Sequence, residues 1–242
     1  MSKAIKKKFD VHTFTVSKVF PTTSQLGIDI LRLMAAFNDI SEIVGWMAGT
    51  FSVPKKPITL SKARVRMGIQ HRLLMAFMHE ALTVFDGMQG GEEFKKAEKL
   101  LNDSGKMALK KLRRASGSPD LIRSQIADAR NTVVFHYDEE AFAKAAARYV
   151  EIFKEKDEAQ SKIIVERGGK AYFLLAENLR DIVVFKFESK VKLEDITEKV
   201  GDVIRKVTSL QGDLFSFLED LLRVYLQDRG LLSELHHEVI EE

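Results

Sequence analysis

The chain has 242 residues, 45% of them apolar and 30% charged, a balance that supports a sizeable buried core and excludes a disordered polymer. Cysteine is absent, which removes disulfides, thiolate metal sites and cysteine nucleophiles together. The formal charge of +3 is a mild basic excess that fits RNA contact without requiring it.

No apolar run reaches the roughly 18 residues of a membrane span, and the opening Met-Ser-Lys-Ala-Ile-Lys-Lys-Lys lacks the apolar centre of a secretion signal. The expected setting is cytoplasmic, away from membranes. In chain order, residues 1–23 are expected to be extended, because Phe9-Asp10-Val11-His12-Thr13-Phe14-Thr15-Val16 concentrates strand formers and the stretch stops at Pro21. From Ser24 the period changes. Leu26, Ile30, Leu33, Phe37, Ile40, Val44 and Met47 step by three and four and predict one long amphipathic helix.

Val53-Pro54-Lys55-Lys56-Pro57 reads as a turn, Ser61 as the N-cap of the next helix, and Met88 as its end. That helix carries two apolar lines, Val65-Ile69-Leu73-Phe77-Val84 and Leu74-Met78-Ala81-Phe85, broad enough to face two neighbours. After Gly90-Gly91 a charged helix is expected from about Glu92 to Arg114, with Lys106, Lys110 and Arg113 on one face. Such a face serves either as a solvated surface or as a track for phosphates.

Ser118-Pro119-Asp120 opens a further helix that buries Ile122, Ile126, Ala129 and Val133 and ends near His136. The acids Asp138-Glu139-Glu140 start another, reaching about Asp157. Gly168-Gly169 marks a turn, Val183 to Leu193 alternates as a short strand would, and Val200, Val203, Val207, Leu210, Leu214, Phe217, Leu221 and Val224 draw the seam of a long last helix. The expectation is an all-α fold: a bundle over 24–158 and a helical extension over 159–242 that packs on the bundle or forms a dimer seam.

The common catalytic signatures are missing, including Gly-x-x-x-x-Gly-Lys-Ser/Thr, His-Glu-x-x-His and Gly-x-Ser-x-Gly. Glu166-Arg167-Gly168-Gly169-Lys170 is better read as a turn than as a phosphate cradle. His236-His237-Glu238 hints at a metal, yet neighbours on a helix point roughly 100° apart, so a frayed terminus is expected there and no metal or cofactor.

Arginine precedes histidine at short intervals in several places: Arg64 and Arg66 before His71, Arg72 before His79, Arg130 before His136 and Arg229 before His236. Spacing alone therefore selects nothing. Inside a continuous helix Arg66 and His71 diverge by about 140°, while Arg64 and His71, or Arg72 and His79, sit roughly 10 Å apart along the axis. The Arg229 pair straddles Gly230 and lacks an adjoining Asn. Arg130 and His136 instead bracket an expected helix end, with Asn131 beside them to fix a turn.

This Arg130-Asn131-x4-His136 pattern resembles the HEPN superfamily, helical domains whose ribonuclease members carry Arg, commonly with Asn, Asp or His after it, and then a His. The resemblance covers roughly residues 24–158. It implies a metal-independent endoribonuclease of the toxin or phage-defence kind that acts on single-stranded RNA, with His136 as acid and base, Arg130 on the phosphorane and Asn131 beside them. It also implies a homodimer that brings two motifs together, and an antitoxin protein as a possible partner. Tyr137 follows His136 directly, whereas toxins paired with a nucleotidyltransferase place the Tyr one position later, so tyrosine modification is not expected. Two alternatives stay open: a HEPN-like domain that binds RNA or nucleotide without cutting it, and a helical interaction scaffold.

Overall fold

The computed structural model describes residues 8–13, 15–49, 57–117, 126–127, 139–153, 163–165, 171–173, 179, 182, 193–232 and 236–241. Over these it is an all-α protein. Its helices are α1 (Val16–Val19), α2 (Gln25–Gly49), α3 (Pro57–Met88), α4 (Glu92–Leu100), α5 (Asp103–Gly117), α6 (Glu139–Phe153) and α7 (Leu193–Asp228). Two small antiparallel ladders accompany them. Strand β1 (Lys8–Thr13) pairs with β4 (His236–Glu241), and β2 (Ile163–Val165) with β3 (Ala171–Phe173). No helix among the described residues is long and apolar enough to cross a membrane.

The core follows from the helical stripes. Leu26, Ile30, Leu33, Ile40, Ile43 and Met47 of α2 are buried, and the helix lies mainly against α3 and α7. On α3 the line Leu74-Met78-Ala81-Phe85 is buried, whereas Ile69 is 44% exposed and Leu73 and Phe77 are only partly covered. The second apolar line is buried throughout, while the first is buried only at Val65 and Val84. The seam of α7, from Val203 through Val224, is buried within the same chain, against α5, α2, α4 and α3. At its centre Phe217 meets Phe85 edge-on, with centroids 5.5 Å apart, and Phe94 at 6.3 Å.

Four expectations are corrected. Val16–Val19 forms one helical turn, so residues 1–23 are not extended throughout. Helix α3 begins at Pro57, four positions before the expected Ser61 cap, since a proline at the first helical position is preset for the helix and loses no hydrogen bond there. The charged segment is two helices, α4 and α5, broken at Leu101-Asn102. His236–Glu241 is a strand and not a frayed helix end. The reason for the last is Gly230, whose φ of 66° reverses the chain after α7. Leu231 N–H reaches back to Leu226 O (2.8 Å) and Gly230 N–H to Gln227 O (3.0 Å), a Schellman closure that ends α7.

Two polar clusters fix the start and end of α4. Ser24 caps α2, its Oγ accepting from Gly27 N–H (3.1 Å), and Glu93 of α4 accepts from Leu26 N–H (2.9 Å) and from Arg229 (2.8 Å). Arg229 also lies 4.7 Å from the Tyr225 ring, whose hydroxyl donates to Val19 O (2.9 Å). At the other end, buried Asp220 of α7 accepts from Asn102 N–H (2.8 Å), Asn102 Nδ2 (2.9 Å) and Arg223 Nε (2.8 Å). Gly105 is required here, because a Cβ at that position would fall within the Asp220 carboxylate.

Candidate functional site: a basic cleft between two helices

The break at Leu101-Asn102 turns α5 back beside α4. Asn102 Oδ1 accepts from Gly105 N–H (2.8 Å) and caps α5, while Ala108, Leu109 and Leu112 bury its inner face. The outer face then presents cations over α4. Glu98, Lys106, Leu109, Lys110, Arg113 and Arg114 line an open cleft of about 360 Å³.

Charge in this cleft is unevenly neutralised. Arg113 grips Glu98 with two parallel bonds, at 2.6 and 2.8 Å, and donates a third to Gln89 Oε1 (2.8 Å). The hydrogen bond from Arg113 holds the Glu98 carboxyl below the usual carboxylate range, and the same bond raises the guanidinium of Arg113. Lys111, on the next face, is engaged by Asp213 at 2.8 Å. Among the described residues no carboxylate pairs with Lys106, Lys110 or Arg114. The cleft therefore offers three uncompensated cations around a fixed fork. It can hold phosphate oxygens through its lysine and arginine side chains.

The motif residues Arg130, Asn131 and His136 lie outside the described residues. Ile126, fully buried and helical, precedes them, and α6 begins after them at Glu139. Glu166 to Lys170 and the alternating Val183–Lys192 stretch also lie outside the described residues.

The other arginine–histidine pairs can be judged. Arg64, Arg66, His71, Arg72 and His79 all belong to the unbroken helix α3. Burial, helped by the adjacent Arg72 guanidinium, pushes the His71 imidazole down to about 4, so it is neutral at pH 7 and a poor proton donor. Arg229 is engaged by Glu93, Ser24 Oγ and the Tyr225 ring, and His236 belongs to strand β4.

Lys106, Lys110 and Arg113 were visible as a face from their spacing, but Glu98 was not, because it belongs to a different helix once the chain breaks. A signal for that break existed in Leu101-Asn102-Asp103-Ser104-Gly105, a run of capping and turn residues inside a charged helical pattern. No protein-family model matches the chain, and no curated protein or solved structure matches it significantly.

Proposed function

We propose that this chain is a HEPN-like, metal-independent endoribonuclease of the toxin or phage-defence kind, working as a homodimer on single-stranded RNA. RNA carries its own nucleophile. The 2′-hydroxyl attacks the adjacent phosphorus, His136 exchanges the protons of the attacking and leaving oxygens, and Arg130 holds the phosphorane oxygens in its fork. The products are a 2′,3′-cyclic phosphate and a 5′-hydroxyl. In this reading Asn131 would stand beside the pair, and a partner antitoxin would act by covering it.

The observation that carries this reading is the fate of the competing pairs. Those on α3 lie in a continuous helix and Arg229 is engaged elsewhere, so neither rivals the Arg130–His136 motif on which this reading rests. The basic cleft adds a separate place where phosphates of RNA could be held. In EDTA the purified protein should cut single-stranded RNA, and His136→Ala should slow cleavage by about 10²–10⁴. Undiminished cleavage by that variant removes His136 from the mechanism.

A second reading, RNA binding without cleavage, is favoured by the cleft itself, which gathers cations on one face. There, Lys106→Glu with Lys110→Glu should weaken RNA binding and lower the slope of log K against log salt by about 1.4, with no product formed by either protein.

A further inference from the structure

The unpaired cations of the cleft form a regular row on α5. Lys106, Lys110 and Arg114 stand four positions apart, so they follow one ridge of the helix with about 6 Å between successive members along the axis. Like charges at that spacing repel one another. Their neighbours Lys111 and Arg113 are matched by Asp213 and Glu98, whereas no carboxylate among the described residues pairs with the row. Buried Leu109 and the Glu98–Arg113 fork complete the lining, which includes no aromatic ring, and both Glu98 oxygens already accept from Arg113.

We propose that this row is a track for a single nucleic-acid strand, which takes one phosphate per cation and is read for neither base nor sugar. Every unit of such a strand carries a charge, so the strand can enter the track in any register. An extended acidic peptide would match the row only with a carboxylate at every second residue, because successive side chains point to opposite faces. A duplex is too broad to enter a cleft of about 360 Å³.

Indifference to sequence and sugar follows from what lines the cleft. Bases in a single strand are recognised largely by stacking on rings, and RNA is told from DNA by groups that bond the 2′-hydroxyl. The lining has no ring, and its one carboxylate is taken up by Arg113. Contacts to phosphate position a strand and carry no sequence information. This inference rests on the reading of the cleft as a holder of phosphates, and it is independent of cleavage at His136.

The test is fluorescence anisotropy of labelled oligothymidylate and oligouridylate with the full-length protein over a series of salt concentrations. DNA lacks the 2′-hydroxyl, so its binding is read whether or not the chain cuts RNA. Lys106→Gln, Lys110→Gln and Arg114→Gln combined should reduce the slope of log K against log salt by about 2.1, equally for both strands, and Lys110→Gln alone by about 0.7. Lys96→Gln, outside the cleft, should leave the slope as it is. An unchanged slope in the combined variant overturns the track. A reduction confined to oligouridylate overturns the indifference to sugar, and an equal reduction with duplex DNA overturns the single-strand assignment. Displacement of oligothymidylate by polyglutamate as effective as that by oligouridylate gives the row to an acidic protein segment instead. His136→Ala should not alter the reductions seen with oligothymidylate, so failure of the cleavage reading and failure of the track are told apart.

Discussion

His71, half-buried on α3, carries an imidazole that its surroundings hold neutral. Its imidazole is held down to about 4, chiefly by burial and secondly by the neighbouring Arg72 charge, against 6.5 for an imidazole in water. Since the folded value is the lower of the two, the unfolded chain takes up the proton first as pH falls. The stability linked to a neutral His71 is complete above about pH 6.5 and is lost progressively on the way down to pH 4. At pH 5 an unfolded imidazole is almost wholly protonated while the folded one is about one-tenth protonated, a difference of about 2 kcal/mol against folding. Urea unfolding of the wild-type chain and of His71→Gln, each at pH 8 and pH 5, isolates this contribution, because glutamine carries no proton over the range and other titrating groups are shared. The loss between the two pH values should be about 2 kcal/mol smaller in the variant. Equal losses in both proteins would refute the argument that burial keeps this imidazole neutral.

Two further substitutions probe the packing that positions the cleft. Asp220→Ala removes the acceptor of Asn102 N–H, Asn102 Nδ2 and Arg223 at a buried corner, and should lower the unfolding free energy by about 3 kcal/mol, read from the urea midpoint at constant slope. Phe217→Ala opens a cavity between Phe85 and Phe94 and should cost about 3–5 kcal/mol by the same measurement, with a surface substitution such as Lys96→Ala changing little.

The helices were legible wherever a stripe of one period ran long enough. Leu26 to Met47 and Val203 to Val224 are buried much as their spacing requires, because a long amphipathic face has one way to leave water. The boundaries were less legible where a distant residue sets them. The break at Asn102 depends on Asp220, 118 positions away, which no local window contains. The N-terminus of α2 is satisfied partly by Ser24, a visible cap, and partly by Glu93 from another helix. Strand β4 was misread because His236-His237-Glu238 has no partner in its own neighbourhood, and becomes a strand only against Lys8–Thr13. In the cleft, the cations lay on one helix and were readable from spacing, whereas the carboxylate that orients Arg113 came from a second helix and was not.

These non-local bonds also connect the fold to the cleft. Glu93, in the first turn of α4, is tied to the start of α2 and to the end of α7, and Asn102, just past its last turn, is tied to Asp220 of α7. Held at both ends, α4 has little freedom to roll, and Glu98 between them is presented to Arg113 in a two-bond fork. That fork orders one cation of the cleft while leaving Lys106, Lys110 and Arg114 for a ligand. Loss of Asp220 should therefore reach the cleft as well as the core. With one end of α4 released, the Glu98–Arg113 pair loosens, the Glu98 carboxyl rises toward its ordinary range, and phosphate binding weakens even though Asp220 is not among the residues lining the cleft.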